Sequence, residues 1–328
     1  MHAIVIKQYG GPEVLTLEER PDPNPGADQV LIEVKAFGLN HAEVYMRSGV
    51  WGDVAEITGI ECVGIVREDP SRRLKRGAKV FAIVGGLGRS LNGSYAELVL
   101  APRSNVIAIE SDLSWEALAA IPESYASAWT ALVGILQLKD GQTTLIRGAT
   151  SALGQAAVNI ARNLGARVIA TSRNAERAAL LRDLGADEVL IDTPDLSRRI
   201  RESYPVGIDS MLEIVGNTTV LDSLAALRRG GGVCQVGFLG GGGPLLLEPV
   251  FQIPGGRYLT AFASALVTGS AEFPLSEIPF QAIVDRVASG AYKAKPTRVF
   301  EFSEIQEAHR VLEAGTQLGK MVVRVGAN

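Results

Sequence analysis

Residues 148–154 read Gly148-Ala149-Thr150-Ser151-Ala152-Leu153-Gly154, a run of small residues bounded by glycines. It lies between a β-type run, Thr143 to Ile146, and a helical run, Gln155 to Leu164. A strand that turns so tightly into a helix brings backbone N–H groups and the positive end of the helix dipole to one point, a seat for an anion. Apolar residues at Leu153, Ala156, Ala157, Ile160, Ala161 and Leu164 keep the three-and-four spacing of a helix face, and Gly165-Ala166 stops it. Arg167-Val168-Ile169-Ala170-Thr171 follows as a strand. The order strand, turn, helix, strand of a right-handed βαβ unit is then complete within about 30 residues. The anion such a unit holds is the pyrophosphate of a dinucleotide. Ser151 and Ala152 stand where glycines are usual, so either the pyrophosphate shifts slightly or the Ser151 hydroxyl bonds a phosphate oxygen.

The end of the second strand selects the dinucleotide. A carboxylate about 20 positions past the glycines would bond the adenosine ribose and favour NAD, whereas a hydroxyl and a cation there accept a 2′-phosphate. The chain has Ser172-Arg173-Asn174, with Arg177 one turn into the next helix and no acid to repel the phosphate. NADPH is the expected cofactor. A charge-assisted hydrogen bond of roughly 1.5 to 3 kcal/mol corresponds to a preference of about ten-fold to a hundred-fold. The bland alternative is that the two arginines are solvated and Asn174 is a plain helix cap.

At 328 residues, 47% of them hydrophobic and 36 of them glycine, the chain suits two well-buried α/β domains with many tight turns. A formal net charge of −4 without a basic tract gives nucleic acid no footing. No apolar run approaches the roughly 20 residues of a membrane span, and Met1-His2-Ala3-Ile4 leads into a strand rather than a signal peptide. The expectation is a cytoplasmic protein with no membrane partner. Two cysteines, Cys62 and Cys234, and three histidines, His2, His41 and His309, offer neither a disulfide framework nor metal-ligand spacing, so no metal is expected.

Organisation changes near Ile121-Pro122-Glu123. Before it, Ala3 to Ile6, Gln29 to Ala36, Val63 to Val66, Lys79 to Ile83 and Ser94 to Leu100 read as strands separated by Pro, Gly and Asp turns. After it, helical runs (Ala175 to Leu184, Leu196 to Tyr204, Thr218 to Leu227) alternate with strand runs (Glu188 to Ile191, Ile208 to Glu213, Gly232 to Val236), the pattern of a doubly wound parallel sheet. A strand at Tyr258 to Ala263 closes it. The tail, Arg298 to Val325, adds strands and a helix capped by Ser303 with Gln306, and packs back on the first domain. Gly240 to Gly243 reads as a mobile loop beside the cofactor.

The residues carry a family resemblance over essentially the whole chain. Gln29 to Asn40, Tyr45-Met46-Arg47-Ser48-Gly49, Gly59 to Val66, Gly93-Ser94-Tyr95-Ala96-Glu97, Trp129-Thr130-Ala131-Leu132, Leu184-Gly185-Ala186-Asp187 and Gly319-Lys320-Met321-Val322-Val323 together resemble the medium-chain dehydrogenase/reductase superfamily. Within it they are similar to the zinc-independent quinone oxidoreductase branch, which includes zeta-crystallin. Zinc-dependent relatives carry Cys at Asn40 or its neighbour and Gly-His-Glu where this chain reads Gly59-Ile60-Glu61, so two ligands are missing.

The resemblance implies a mainly β, GroES-like catalytic domain (1–122 and 264–328) and a Rossmann-type dinucleotide-binding domain (123–263), the fold class being α/β. It implies an NADPH-dependent reductase of a quinone, with an ene reductase of enones, alkenals or enoyl thioesters as runner-up and a non-catalytic NADPH-binding protein as a third possibility. Asn40, Tyr45 and Thr130 are the expected catalytic residues around the nicotinamide, in a cleft between the domains. The expected cofactor residues are Gly148, Ala149, Thr150, Ser151, Ala152, Leu153, Gly154, Ser172, Arg173, Arg177, Gly237, Phe238 and Lys320. Each has a plainer role: Tyr45 as a pocket wall, Asn40 as a turn former, Thr130 bonded to its own helix, Lys320 as an exposed cation. The expected partner is a small-molecule electron acceptor, and the expected assembly a homodimer through the edge strand near Tyr258.

Overall fold

Along Gln29–Gly38 the side chains of Val30, Ile32, Val34 and Ala36 are buried between half-buried neighbours, and Phe37 and Gly38 are then buried as well. One-sided burial suits a solvated antiparallel sheet and two-sided burial a covered one, so this strand runs from the rim of a sheet into its core. In the computed structural model, which describes residues 1–241, 243–316 and 318–326, the chain forms two compact units. Met1–Ala126 joins Ser264–Asn328 in the first, and Ser127–Ala263 makes the second.

The strands are β1 (His2–Ile6), β2 (Leu15–Glu19), β3 (Gln29–Gly38), β4 (Glu61–Glu68), β5 (Lys79–Ile83), β6 (Leu98–Pro102) and β7 (Val106–Ala108) in the first unit. The second holds β8 (Thr143–Arg147), β9 (Arg167–Ser172), β10 (Glu188–Ile191), β11 (Ile208–Glu213), β12 (Leu227–Gln235) and β13 (Tyr258–Ala261), and β14 (Arg298–Glu301) and β15 (Met321–Arg324) return to the first.

In the first unit β1 pairs with β2, and a larger sheet runs β14-β15-β3-β4-β5-β7 with β6 on β3. Its pairings are antiparallel except β14 with β15. Phe37 stacks on Tyr95 with ring centroids 4.5 Å apart and meets Phe302 edge-on, at the centre of a core that includes Ile4, Val66, Phe300 and Val323. Ser303 does not cap the last helix. It lies inside a 3-10 turn, Phe302–Glu304, where the Glu304 carboxylate accepts the Glu301 N–H at 2.7 Å, and helix Ile305–Ala314 follows. Two adjacent carboxylates beside unpaired N–H donors outcompete a hydroxyl.

In the second unit six parallel strands run β10-β9-β8-β11-β12-β13. The chain order reverses between β8 and β11, the position at which a doubly wound sheet opens a crevice beyond its carboxyl ends. Helix Pro122–Trp129 passes into a π-helical turn, Thr130–Ile135, in which the Leu136 N–H reaches the Ala131 carbonyl at 2.9 Å. The helix expected over 175–184 is divided into a 3-10 turn, Ala175–Arg177, and an α-helix, Ala178–Asp183. No helix of the described residues is long and apolar enough to cross a membrane.

His309, on helix Ile305–Ala314, is fully buried with Nε2 3.0 Å from the Tyr95 hydroxyl. Burial, with Arg47 adding to it, lowers the imidazole from 6.5 to about 3. The folded chain therefore binds fewer protons than the unfolded chain between these values, and stability held above pH 6.5 is lost as pH falls toward 3. His309→Gln is expected to flatten this acid limb. Urea denaturation at about pH 7 and about pH 4 should show a smaller loss for the variant than for the wild type, and equal losses would contradict the assignment.

Candidate active site

Gly148, at φ +87°, turns the chain out of β8, and helix Ala152–Asn163 starts against that turn. A Cβ on Gly154 would sit 2.5 Å from the Gly148 carbonyl oxygen and 2.6 Å from Ala149 Cα, so only glycine lets the helix come this close. Ser151 is its N-cap: the hydroxyl accepts the Gly154 N–H at 3.1 Å and donates to the Gly148 carbonyl at 2.9 Å. Its hydroxyl is thus bonded on both sides within the turn. The donors left for an anion are main-chain N–H groups of the first helical turn, where Ala152 and Leu153 have no intrahelical acceptor.

The end of β9 is organised by short-range bonds. Ser172 Oγ accepts the Asn174 N–H at 3.1 Å and donates to the Asn174 carbonyl at 3.0 Å, while Asn174 Oδ1 caps the next turn through the Glu176 N–H at 2.9 Å. Asn174 is thus the helix cap. The Ser172 proton is used locally, and the groups that project from this corner are Arg173, exposed, and Arg177, half-buried. Among the described residues neither pairs with a carboxylate. Gly237 and Phe238 follow β12, and the loop folds back through Leu239 N–H to the Ile214 carbonyl at 3.2 Å and Gly240 N–H to the Val215 carbonyl at 2.8 Å. Gly242, in the expected mobile run, lies outside the described residues. Thr130 opens the π-helical turn of the same unit.

The first unit assembles Asn40 and Lys320 with two acids that sequence reading did not single out as site residues. Asn40 caps helix His41–Arg47: its N–H donates to Glu43 Oε2 at 2.7 Å and its amide nitrogen to Glu61 Oε1 at 2.9 Å. Lys320 Nζ donates to Asn40 Oδ1 at 2.6 Å and pairs with Glu61. Glu61 Oε2 accepts the Glu123 N–H at 2.7 Å. Lys320, expected against the cofactor or as an exposed cation, is therefore a buried counter-ion, and the Asn40 amide is occupied by protein partners. Glu43 is fully buried; burial pushes its carboxyl up to about 7, against the pull of Lys320 and of the Ile60 and Asn40 N–H groups. The one signal of this cluster in the sequence was the pair Glu43 and Asn40 at capping-box spacing.

Tyr45 lies on the same helix, half-buried, with its ring centroid 5.9 Å from that of Trp51. Burial raises its hydroxyl above the ordinary range, so it is a protonated donor at neutral pH. The Arg89 guanidinium lies 5.4 Å from the Trp51 ring centre. His41 is lowered by burial and by Lys320, leaving a neutral imidazole. Cys62 and Cys234 are buried thiols, the latter pushed up to about 12 by burial. Among the described residues no group of three His, Cys, Asp or Glu side chains is placed to hold a metal ion.

A doubly wound sheet with a glycine-bounded turn at its switch point, joined in one chain to an antiparallel GroES-like unit, defines an oxidoreductase of the medium-chain type. The family model described as "Alcohol dehydrogenase GroES-like domain" matches residues 26–111, and that described as "Zinc-binding dehydrogenase" matches residues 152–279. The chain is 33% identical to human quinone oxidoreductase over 261 residues, 73% of this chain and 74% of that one. A mycobacterial protein solved in complex with NADPH superposes with a TM-score of 0.86 at 30% identity, covering 99% of each chain. A quinone oxidoreductase of Pseudomonas syringae gives 0.86 at 26% identity over 98% of this chain and 99% of that one. The chain belongs to the zeta-crystallin-like quinone oxidoreductase branch of the medium-chain dehydrogenase/reductase superfamily.

Lys320→Met leaves the Glu61 carboxylate buried without its counter-charge, which costs about 3 to 5 kcal/mol. Urea denaturation is expected to show that loss, and Lys320→Met with Glu61→Gln should recover most of it. A single variant as stable as the wild type would contradict the role given to the ion pair.

Proposed function

We propose that the protein transfers hydride from NADPH to a quinone. The observation that carries the cofactor preference is the end of β9, where among the described residues Arg173 and Arg177 stand without a carboxylate partner, beside a turn whose glycine lets helix Ala152–Asn163 start close against the end of β8. The NADPH complex of the mycobacterial neighbour supports the same choice, and the names of the human and Pseudomonas relatives support a quinone as acceptor.

Bound NADPH would supply the hydride. Main-chain N–H groups at the start of helix Ala152–Asn163 would hold its pyrophosphate, Arg173 and Arg177 its 2′-phosphate, and Gly237 and Phe238 would border it beyond β12. Fixing donor and acceptor carbons within about 3 to 3.5 Å lowers the barrier by roughly 7 to 11 kcal/mol. Tyr45 donates a hydrogen bond to the acceptor oxygen as negative charge develops there. Asn40, its amide held by Lys320 and Glu61, fixes the start of the helix that carries Tyr45. Thr130 borders the nicotinamide. Asn40 and Ile60 provide no thiolate or imidazole for a metal, and an electron-poor acceptor needs no Lewis acid to take hydride.

NADPH oxidation by metal-stripped protein, followed at the nicotinamide absorbance, tests this with ortho- and para-quinones beside an enone and an enoyl thioester, and with NADH as the parallel donor. Quinone turnover with NADPH preferred is expected, and Arg173→Ala with Arg177→Ala should lower that preference about ten-fold to a hundred-fold. Turnover of enones alone would replace the proposal with ene reduction.

The sheet edge supports a proposal for the assembly. β13 ends the parallel sheet with Tyr258 exposed, and the preceding segment exposes Leu246, Val250 and Phe251 at 88%, 87% and 85%. An unpaired edge beside apolar side chains is covered in a stable protein, and a second copy of this chain is the proposed cover. Light scattering on a sizing column should give twice the chain mass for the wild type and the monomer mass for Val250→Lys with Phe251→Lys. A wild-type monomer would refute the dimer.

A further inference from the structure

Arg147 is the last residue of β8 and the residue before the phosphate turn, and it is only 1% exposed. Its guanidinium is held from three sides. Nη2 donates to Asp192 Oδ1 at 2.7 Å and to the Thr193 carbonyl at 3.1 Å, and Nε donates to Asp192 Oδ1 at 3.0 Å. Nη1 donates to Asp222 Oδ2 at 2.9 Å, to Ser223 Oγ at 3.1 Å and to the Thr219 carbonyl at 3.2 Å. The Asp192 side of this knot reaches the turn itself: Thr171 Oγ donates to Asp192 Oδ2 at 3.4 Å and accepts the Gly148 N–H at 3.2 Å.

Arg147 ends β8 and Gly148 follows it, Thr171 lies one residue from the end of β9, and Asp192 follows β10. One buried cation therefore ties together the carboxyl ends of three neighbouring strands, on the side of the sheet where its crevice opens. A planar guanidinium can bond carboxylates and carbonyls in several directions at once; a lysine ammonium cannot span the same set. With Arg147 removed, Asp192 and Asp222 would face each other's charge and that of the incoming phosphates.

We propose that Arg147 is a positioning residue for the dinucleotide pyrophosphate, acting through Asp192 and Thr171 on the Gly148 N–H and hence on the orientation of the 148–154 turn. The inference rests on the NADPH reading above and deepens it. Arg147 does not touch the ligand; it fixes the frame on which the turn presents its donors, so its loss is felt by ligands that carry a pyrophosphate.

Calorimetric titration of the 328-residue chain with NADPH, ADP and 2′-AMP separates this role from general damage, because 2′-AMP has no pyrophosphate. Arg147→Lys keeps the charge and loses the fork, and is expected to weaken NADPH and ADP by about ten-fold to a hundred-fold, with 2′-AMP changed by less than about two-fold. Thr171→Val keeps the shape and cuts only the link to Gly148. It is expected to weaken the same two ligands about three-fold to ten-fold, and it decides the matter alone if Arg147→Lys does not fold. Parallel losses for all three ligands, or none for any, would overturn the proposal. Wild-type protein that binds no NADPH would overturn the cofactor reading and this inference together, whereas wild-type binding with unaltered variants would overturn the inference alone.

Discussion

The second unit depends on a backbone-to-backbone approach: Gly154 of the helix against Gly148 and Ala149 of the turn. Any side chain at Gly154 would lift helix Ala152–Asn163 off the end of β8, and the apolar face of Ala156, Ala157, Ile160 and Ala161 would leave the sheet with it. Because the helix is pinned there, its unpaired N–H groups stay over the switch point of the sheet. Ser151 closes the same turn from within, as acceptor for Gly154 and donor to Gly148. The run of small residues that made the segment legible in the sequence is therefore a packing requirement of the fold.

The first unit is governed by a different demand, that a buried carboxylate be answered by a positive charge. Glu61 belongs to a tripeptide that in zinc-dependent relatives includes a histidine ligand; here Ile60 takes that place, and Lys320 provides the charge through an ion pair with Glu61 and a bond to Asn40. A cluster so closed through its own side chains has spent the Asn40 amide on structure, bonded to Glu61 and Lys320 at the start of helix His41–Arg47.

What was legible in the sequence was local. Period-two and period-3.6 patterns located the strand Glu188–Ile191 and the strand Ile208–Glu213 to the residue, and the turn motif located the start of helix Ala152–Asn163 to within three residues. What was not legible was set by partners far along the chain. The β-type run was placed at Thr143 to Ile146, whereas β8 continues through Arg147, which is buried against acids 45 and 75 residues away. Lys320 looked exposed or cofactor-bound because its counter-ion lies 259 residues earlier. Ser303 failed as a cap for a subtler reason, since Glu301 and Glu304 formed a tighter local arrangement with the same donors.

The π-helical turn at Thr130–Ile135 shows how the chain accommodates length. A turn closed over five residues rather than four holds one more residue than its α-helical counterpart. A single-residue insertion of this kind is absorbed as a bulge on the spot, and the chain beyond it resumes in phase. Strand β8 begins only at Thr143, beyond a loop, and pairs in parallel with β9 and β11. The widened turn thus sits in the connecting helix, outside the strands whose pairing sets the central sheet.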